Sequence, residues 1–157
     1  MKIQIRKGVQ TDLPQVLDLI KELAIYENAI DEVTIKLEDL ERDGFGSEKL
    51  FHFLVAINEK ELVGIAFYYT RYSTWKGKIL YLEDFVVKEK DRGKGIGTLL
   101  FEEIFRVCKN KEYNGMAWQV LDWNEPAINF YKKYKASLSS SWLNCKLSKN
   151  QIQCLIP

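Results

Sequence analysis

Hydrophobic residues recur along this chain with two different periods, and the changes between them mark out the elements. Ile3 and Ile5 alternate with polar neighbours, which is the period of a short strand. From Leu13 onward Val16, Leu17, Ile20, Leu23 and Ala24 return every three or four residues, so a helix is predicted, capped by Thr11 or Asp12. A second, acidic helix is predicted over Ile35–Asp43, stopped by Gly44-Phe45-Gly46. The period then falls to two. Phe51–Ile57, Leu62–Tyr72 and Lys78–Val87 are rich in aromatic and branched residues, with turns at Asn58-Glu59-Lys60-Glu61 and Trp75-Lys76-Gly77. Ile96, Leu99, Leu100, Ile104, Val107 and Cys108 restore the helical spacing. Gly115–Leu121 reads as a strand, Pro126–Tyr134 as a short helix with proline in its first turn, and Ser141–Leu147 as a last strand. Antiparallel hairpins followed by a β-α-β crossover predict a mixed α/β sheet flanked by helices, and not a doubly wound parallel one.

Composition narrows the class. The chain has 157 residues, 46% of them hydrophobic and 29% charged, which suits one globular domain over residues 1–157. No run approaches the ~18 apolar residues of a membrane span, and Met1-Lys2-Ile3-Gln4-Ile5-Arg6 lacks the features of a signal peptide. A cytoplasmic protein without membrane attachment is expected. The net charge of +1 gives no reason to expect a nucleic-acid partner. Its distribution is uneven: Glu22 to Glu48 holds nine acids against Lys36 and Arg42, leaving that stretch at −7 and the remainder at +8. Such a run is a solvated acidic face or an attractor for a cationic ligand. Cys108, Cys145 and Cys154 share no CxxC spacing, and His52 is the sole histidine, so neither a metal site nor a disulfide framework is expected. Cys108 and Cys145 are expected to be buried thiols, and His52 a structural strand residue.

Chemistry concentrates in Arg92-Gly93-Lys94-Gly95-Ile96-Gly97, between a strand and a helix. Glycines let a backbone approach a ligand closely, and the first-turn amides of a helix suit a phosphate. Lys94 is followed by Gly95, so a Walker loop fails, and Thr98 stands where a dinucleotide fingerprint needs its third glycine. A plain helix entrance with permissive glycines stays open on these residues alone.

The pattern R-x-x-G-x-G in this setting resembles the acetyl-CoA loop of the GCN5-related N-acetyltransferases. Trp123-Asn124-Glu125-Pro126-Ala127-Ile128-Asn129-Phe130-Tyr131 is similar to the family's second cofactor segment, and Tyr81-Leu82-Glu83-Asp84-Phe85-Val86-Val87 to its cofactor-contacting strand. With Leu19–Glu27 and Asp43-Gly44-Phe45-Gly46, the resemblance extends to the diamine (spermidine/spermine) acetyltransferase branch and covers about Ile3 to Trp142. It implies a mostly antiparallel sheet with a parallel pair near the cofactor, and a homodimer.

It also implies roles. Acetyl-CoA would lie on Phe85, Val86, Val87, Arg92, Gly93, Lys94, Gly95, Ile96, Gly97, Thr98, Asn124, Glu125, Pro126, Ala127 and Tyr131. Backbone amides around Phe85 to Val87 would stabilise the oxyanion, with Tyr131 as the acid for the departing thiolate. A primary amine with a pKa near ~10.4 must lose a proton before it attacks, and Glu83 is the expected helper. Asp84 would share Glu83's face only if a bulge interrupts the strand, as it does in this family. Tyr26, Glu27, Glu83, Asp84, Trp118 and Gln119 would contact the cationic amine. Without the motif, Glu83 would read as a surface acid and Tyr131 as a core aromatic. Where the branch tends to carry acids, this chain has Tyr72-Ser73-Thr74-Trp75 and Ser139-Ser140-Ser141-Trp142, which favours a shorter diamine, thialysine or another small amine over a long polycation. A protein-directed acetyltransferase and a non-catalytic acyl-CoA-binding module are the alternatives.

Overall fold

A computed structural model describes residues 2–155, which divide into two compact units between Gln119 and Val120. The first unit runs β1 (Ile3–Lys7), α1 (Leu13–Tyr26), α2 (Leu37–Phe45), β2 (His52–Asn58), β3 (Glu61–Ser73), β4 (Gly77–Val87), α3 (Ile96–Asn110) and β5 (Met116–Trp118). Its strands lie in the order β1-β2-β3-β4-β5. The first three pairings are antiparallel and β4–β5 is parallel, as α3 crosses over between them. This is the expected mixed sheet.

Helices cover both faces. Leu13, Val16 and Leu19 of α1 and Leu40 of α2 pack with Phe51, Phe53, Val55, Ile65, Phe67 and Val86. On the other face α3 buries Ile96, Leu100, Phe101, Ile104 and Val107. Each such side chain removed from water stabilises the fold by roughly 1.5–3 kcal/mol. Leu99, expected on this stripe, is 44% exposed, whereas Phe101 is wholly buried. At 3.6 residues per turn Leu99 lies roughly 120° around the helix from the stripe's centre. Cys108 is half-buried, and burial pushes its thiol up.

Two boundaries have local causes. α2 starts two residues later than its apolar pattern predicts and continues through Gly44 and Phe45 to a cap at Gly46. Asp12 stands at the cap position of α1, but its carboxylate accepts from Val9 N–H at 2.8 Å and from the two terminal nitrogens of the Arg6 guanidinium at 2.7 and 2.8 Å. It therefore ties the end of β1 to the start of α1. Burial opposes the Asp12 charge, yet the Arg6 and Val9 hydrogen bonds hold its pKa below the ordinary value.

The second unit contains α4 (Glu125–Lys132) and α5 (Lys149–Leu155). Ser141–Leu147 is not a strand, and Cys145 is exposed. A lone strand needs a hydrogen-bonded neighbour, and this unit contains no other strand among its described residues. The unpredicted α5 begins with a reciprocal cap: Gln151 N–H donates to Ser148 Oγ at 3.2 Å, and Ser148 N–H donates to Gln151 Oε1 at 2.8 Å. Ser148-Lys149-Asn150-Gln151 carries the S-x-x-Q signature of such a box.

Candidate active site

The glycine loop enters α3 through two left-handed residues, Gly93 at φ +75° and Gly95 at φ +81°. A Cβ added at either would meet nothing within 4 Å, so conformation and open space beside the backbone, not crowding, select glycine here. Gly95 caps α3, and the first amide to reach back is Leu99 N–H to Gly95 O at 3.2 Å. The amides of Ile96, Gly97 and Thr98 come before that bond and have no carbonyl within the helix to serve. Open space, first-turn amides and the positive end of a 15-residue helix fit a diphosphate. The flanking cations are anchored. Lys94 Nζ lies 2.8 Å from the buried Asp91, Arg92 Nε donates to Val87 O at 3.1 Å, and the Arg92 guanidinium sits 4.9 Å from the Tyr26 ring centroid.

β4 carries the second feature. Tyr68 pairs with Leu82 and Phe67 with Asp84, which leaves Glu83 as the extra residue of a bulge. Regular alternation would send Glu83 and Asp84 to opposite faces. The bulge instead pairs Asp84 with Phe67, on the face covered by α1 and α2, while Tyr81 pairs with Tyr69 on that same face. The Tyr69 hydroxyl lies within electrostatic reach of the Glu83 carboxylate. The strand condition set by the sequence is therefore met.

The electrostatics follow. Burial first, then the charges of Glu83 and Glu27, raise the Asp84 carboxyl to about 6. Burial also raises Glu27, the residue capping the end of α1 beside Tyr26. Tyr69 and Tyr81 are raised by burial and by the Glu83 charge. Three carboxylates thus stand close enough to act on one another, beside aromatic rings, an arrangement that attracts a cation and offers it a carboxylate that titrates near neutrality. β5 stops at Trp118, opposite Leu82, while β4 continues through Glu83, Asp84, Phe85, Val86 and Val87.

Other expected residues lie elsewhere. Trp118 pairs with Leu82, and its indole meets the Phe101 ring edge-on at 5.7 Å on the α3 face, opposite the carboxylates. Gln119 follows it, exposed. In the second unit Asn124 caps α4, accepting from Ala127 N–H at 3.3 Å, with Glu125 and Pro126 in the first turn. Tyr131 is buried, its ring 5.6 Å from that of Phe130. His52 is half-buried next to Tyr68, and burial with the charges of Lys111, Lys49 and Lys7 lowers its pKa. Those side chains line a cavity of about 200 Å³ with Phe45, Phe51 and Phe53, none of them a residue of the loop or the carboxylate cluster.

The sequence reading missed Tyr69, Tyr81 and Arg71. The Arg71 guanidinium carbon lies 5.6 Å from the Tyr81 ring centroid. Counting back by twos from Tyr81 and across the hairpin places all three on one face, but only once the register is known.

Comparison with known proteins gives a consistent picture. A model of the Acetyltransferase (GNAT) family matches residues 14–135. The thialysine N-epsilon-acetyltransferase of Bos taurus is 41% identical over 138 residues, spanning 83% of this chain and 81% of that protein. The spermidine/spermine N(1)-acetyltransferase-like protein 1 of Homo sapiens is 41% identical over 135 residues, which span 82% of this chain but only 19% of that longer protein. Among solved structures, an integron cassette protein from the mobile metagenome of V. cholerae superimposes with a TM-score of 0.79 at 21% identity, covering 99% of this chain and 98% of the other. An aminoglycoside acetyltransferase from an uncultured soil sample gives 0.77 at 19% identity, over 93% and 95% of the two chains. At those identities the likeness is one of fold.

Proposed function

Because this chain belongs to the GNAT acetyltransferase family, enzymes that transfer acetyl groups to amines, we propose that its acceptor is a small aliphatic amine attacking directly within a ternary complex. One observation carries the proposal: the Glu83 bulge gathers Glu83 and Asp84 on one face of β4, within electrostatic reach of Glu27. An ammonium group is drawn to such a cluster, and its proton must leave before the nitrogen can attack. Asp84, at about 6, is the carboxylate best matched to receive it, while Glu83 and Glu27 hold the cation and Tyr26 offers a ring face. This moves the proton-accepting role one residue along from Glu83. Acetyl-CoA, the acyl donor used by the family, supplies the activated acetyl group. Gly93, Gly95 and the first-turn amides of Ile96, Gly97 and Thr98 would hold its diphosphate, with β4 amides from Phe85 to Val87 along its arm. Tyr131 is assigned the acid role, and Asn124 a cofactor hydrogen bond, on the strength of their motif.

Relatives named for thialysine and for spermidine/spermine both point to an aliphatic amine acceptor, which supports a diamine, polyamine or lysine-like substrate. The family match crosses Gln119, which supports reading both units as parts of one acetyltransferase domain. Trp142 and Leu143, at 80% and 89% exposure, support a homodimer that covers them. No described helix is long and apolar enough to cross a membrane; the cytoplasm is the proposed location. Mass spectrometry of products from an amine panel with acetyl-CoA tests the reading. Acetylated aliphatic amines are expected, with turnover falling at least tenfold in Tyr131→Phe. Acetylation of peptides in preference to every free amine would overturn it.

A further inference from the structure

The carboxylate cluster has a cation beside it that amine binding alone does not call for. Arg71 lies two residues beyond Tyr69 on β3, past the bulge and in regular register, and so faces the same side as Tyr69 and Tyr81. Its guanidinium rests against the Tyr81 ring at 5.6 Å. Among the described residues it makes no ion pair within 4 Å, and the side chain is exposed. Both Tyr69 and Tyr81 respond to its positive charge as well as to the negative charge of Glu83. The two tyrosine rings, 5.3 Å apart, therefore separate an anionic end of the face from a cationic one.

We infer that Arg71 selects the acceptor by binding an anionic carboxylate at the far end of the substrate, so that the enzyme prefers an ω-amino acid to a diamine. The inference rests on the amine-acceptor reading above and specifies its substrate class. Spacing agrees with it. The guanidinium lies over Tyr81, two residues along β4 from the bulged Glu83, a backbone separation of at most about 7 Å because a bulge shortens the extended rise. A basic amino acid with a few methylenes places its ω-nitrogen and its carboxylate at a similar separation. Charge acts twice in the same direction. Arg71 attracts a carboxylate through its planar fork of donors, and it repels the second ammonium that a diamine would bring to the same spot.

A matched pair of substrates tests this: L-lysine and 1,5-diaminopentane, which differ by the carboxylate, assayed by steady-state kinetics on the full chain. L-Lysinamide, which keeps the α-ammonium without the anion, separates the two charges. Arg71 is exposed, so Arg71→Met retains the packing against Tyr81, and circular dichroism checks the fold. The intact enzyme is expected to favour L-lysine over both other amines in kcat/KM by about tenfold. Arg71→Met is expected to remove that preference through KM with kcat nearly unchanged, and Arg71→Glu to reverse it toward the diamine. A lysine-to-diamine ratio unchanged by Arg71→Met, with both amines turned over, overturns this inference alone. Turnover of no amine of any kind overturns the acceptor reading and this inference together.

Discussion

Replacing Asp84 by asparagine removes a charge that folding has to confine. Its carboxyl stands at about 6 in the folded chain against an ordinary 3.8, because burial and then the charges of Glu83 and Glu27 disfavour ionisation. A group raised in this way binds protons more tightly when folded, so its contribution to stability is complete at acid pH and is lost as pH climbs from about 4 through about 6. At about 1.4 kcal/mol for each tenfold change, a rise of about two orders costs about 3 kcal/mol above pH 7. Asparagine has nearly the same shape and no charge. Asp84→Asn should therefore be more stable than the natural chain at pH 8, by up to about 3 kcal/mol, and about equal to it at pH 4. Urea denaturation followed by tryptophan fluorescence at both pH values measures the difference, with acetyl transfer assayed in parallel. The proton-accepting role predicts that turnover collapses while stability rises. An Asp84→Asn chain no more stable than the parent at pH 8 would refute the electrostatic argument, and undiminished turnover would refute the assignment of the base.

Two other outcomes follow. Asp12→Asn should destabilise the fold by about 2 kcal/mol at pH 7, since it weakens a two-pronged Arg6 pair and a backbone cap. The pH dependence has the opposite sign to that of Asp84: the Asp12 carboxyl is held low, so its contribution is present above about pH 3.8 and vanishes as pH falls below that, which an acid titration of the thermal midpoint will follow. Gly95→Ala forces a Cβ onto a residue at φ +81°, at a cost of about 1 kcal/mol in stability. It should weaken CoA binding by tenfold or more in calorimetry, because the cap of α3 must shift; unchanged affinity would remove this loop from the cofactor site.

The first unit was legible in the sequence because its signals are local and agree with one another. β2, β3 and β4 follow a run of branched and aromatic residues, and Gly93 and Gly95 announce the entry to α3. What escaped depends on pairing. Ser141 to Leu147 alternates like a strand but has no partner strand among the described residues of its unit. Trp118 lies on the α3 face because it pairs with Leu82, a placement that no local pattern around it reveals. Arg71 sits in the tract Tyr69-Thr70-Arg71-Tyr72, where nothing local distinguishes it from a surface cation. The Glu83 bulge was expected from the family resemblance, not from any residue pattern, and its effect on Asp84 could be read only from the register across β3.

The bulge also separates two demands that most strand positions must satisfy together. Leu82 and Asp84 each face a partner on β3, and Glu83 between them faces none. The ladder would close just as well without position 83, so neither strand register nor core filling dictates what stands there. Position 83 is therefore a place on this strand where substitution edits the chemistry and leaves the ladder as it is. Enzymes sharing this scaffold can diverge at such a residue without first acquiring compensating changes in the core.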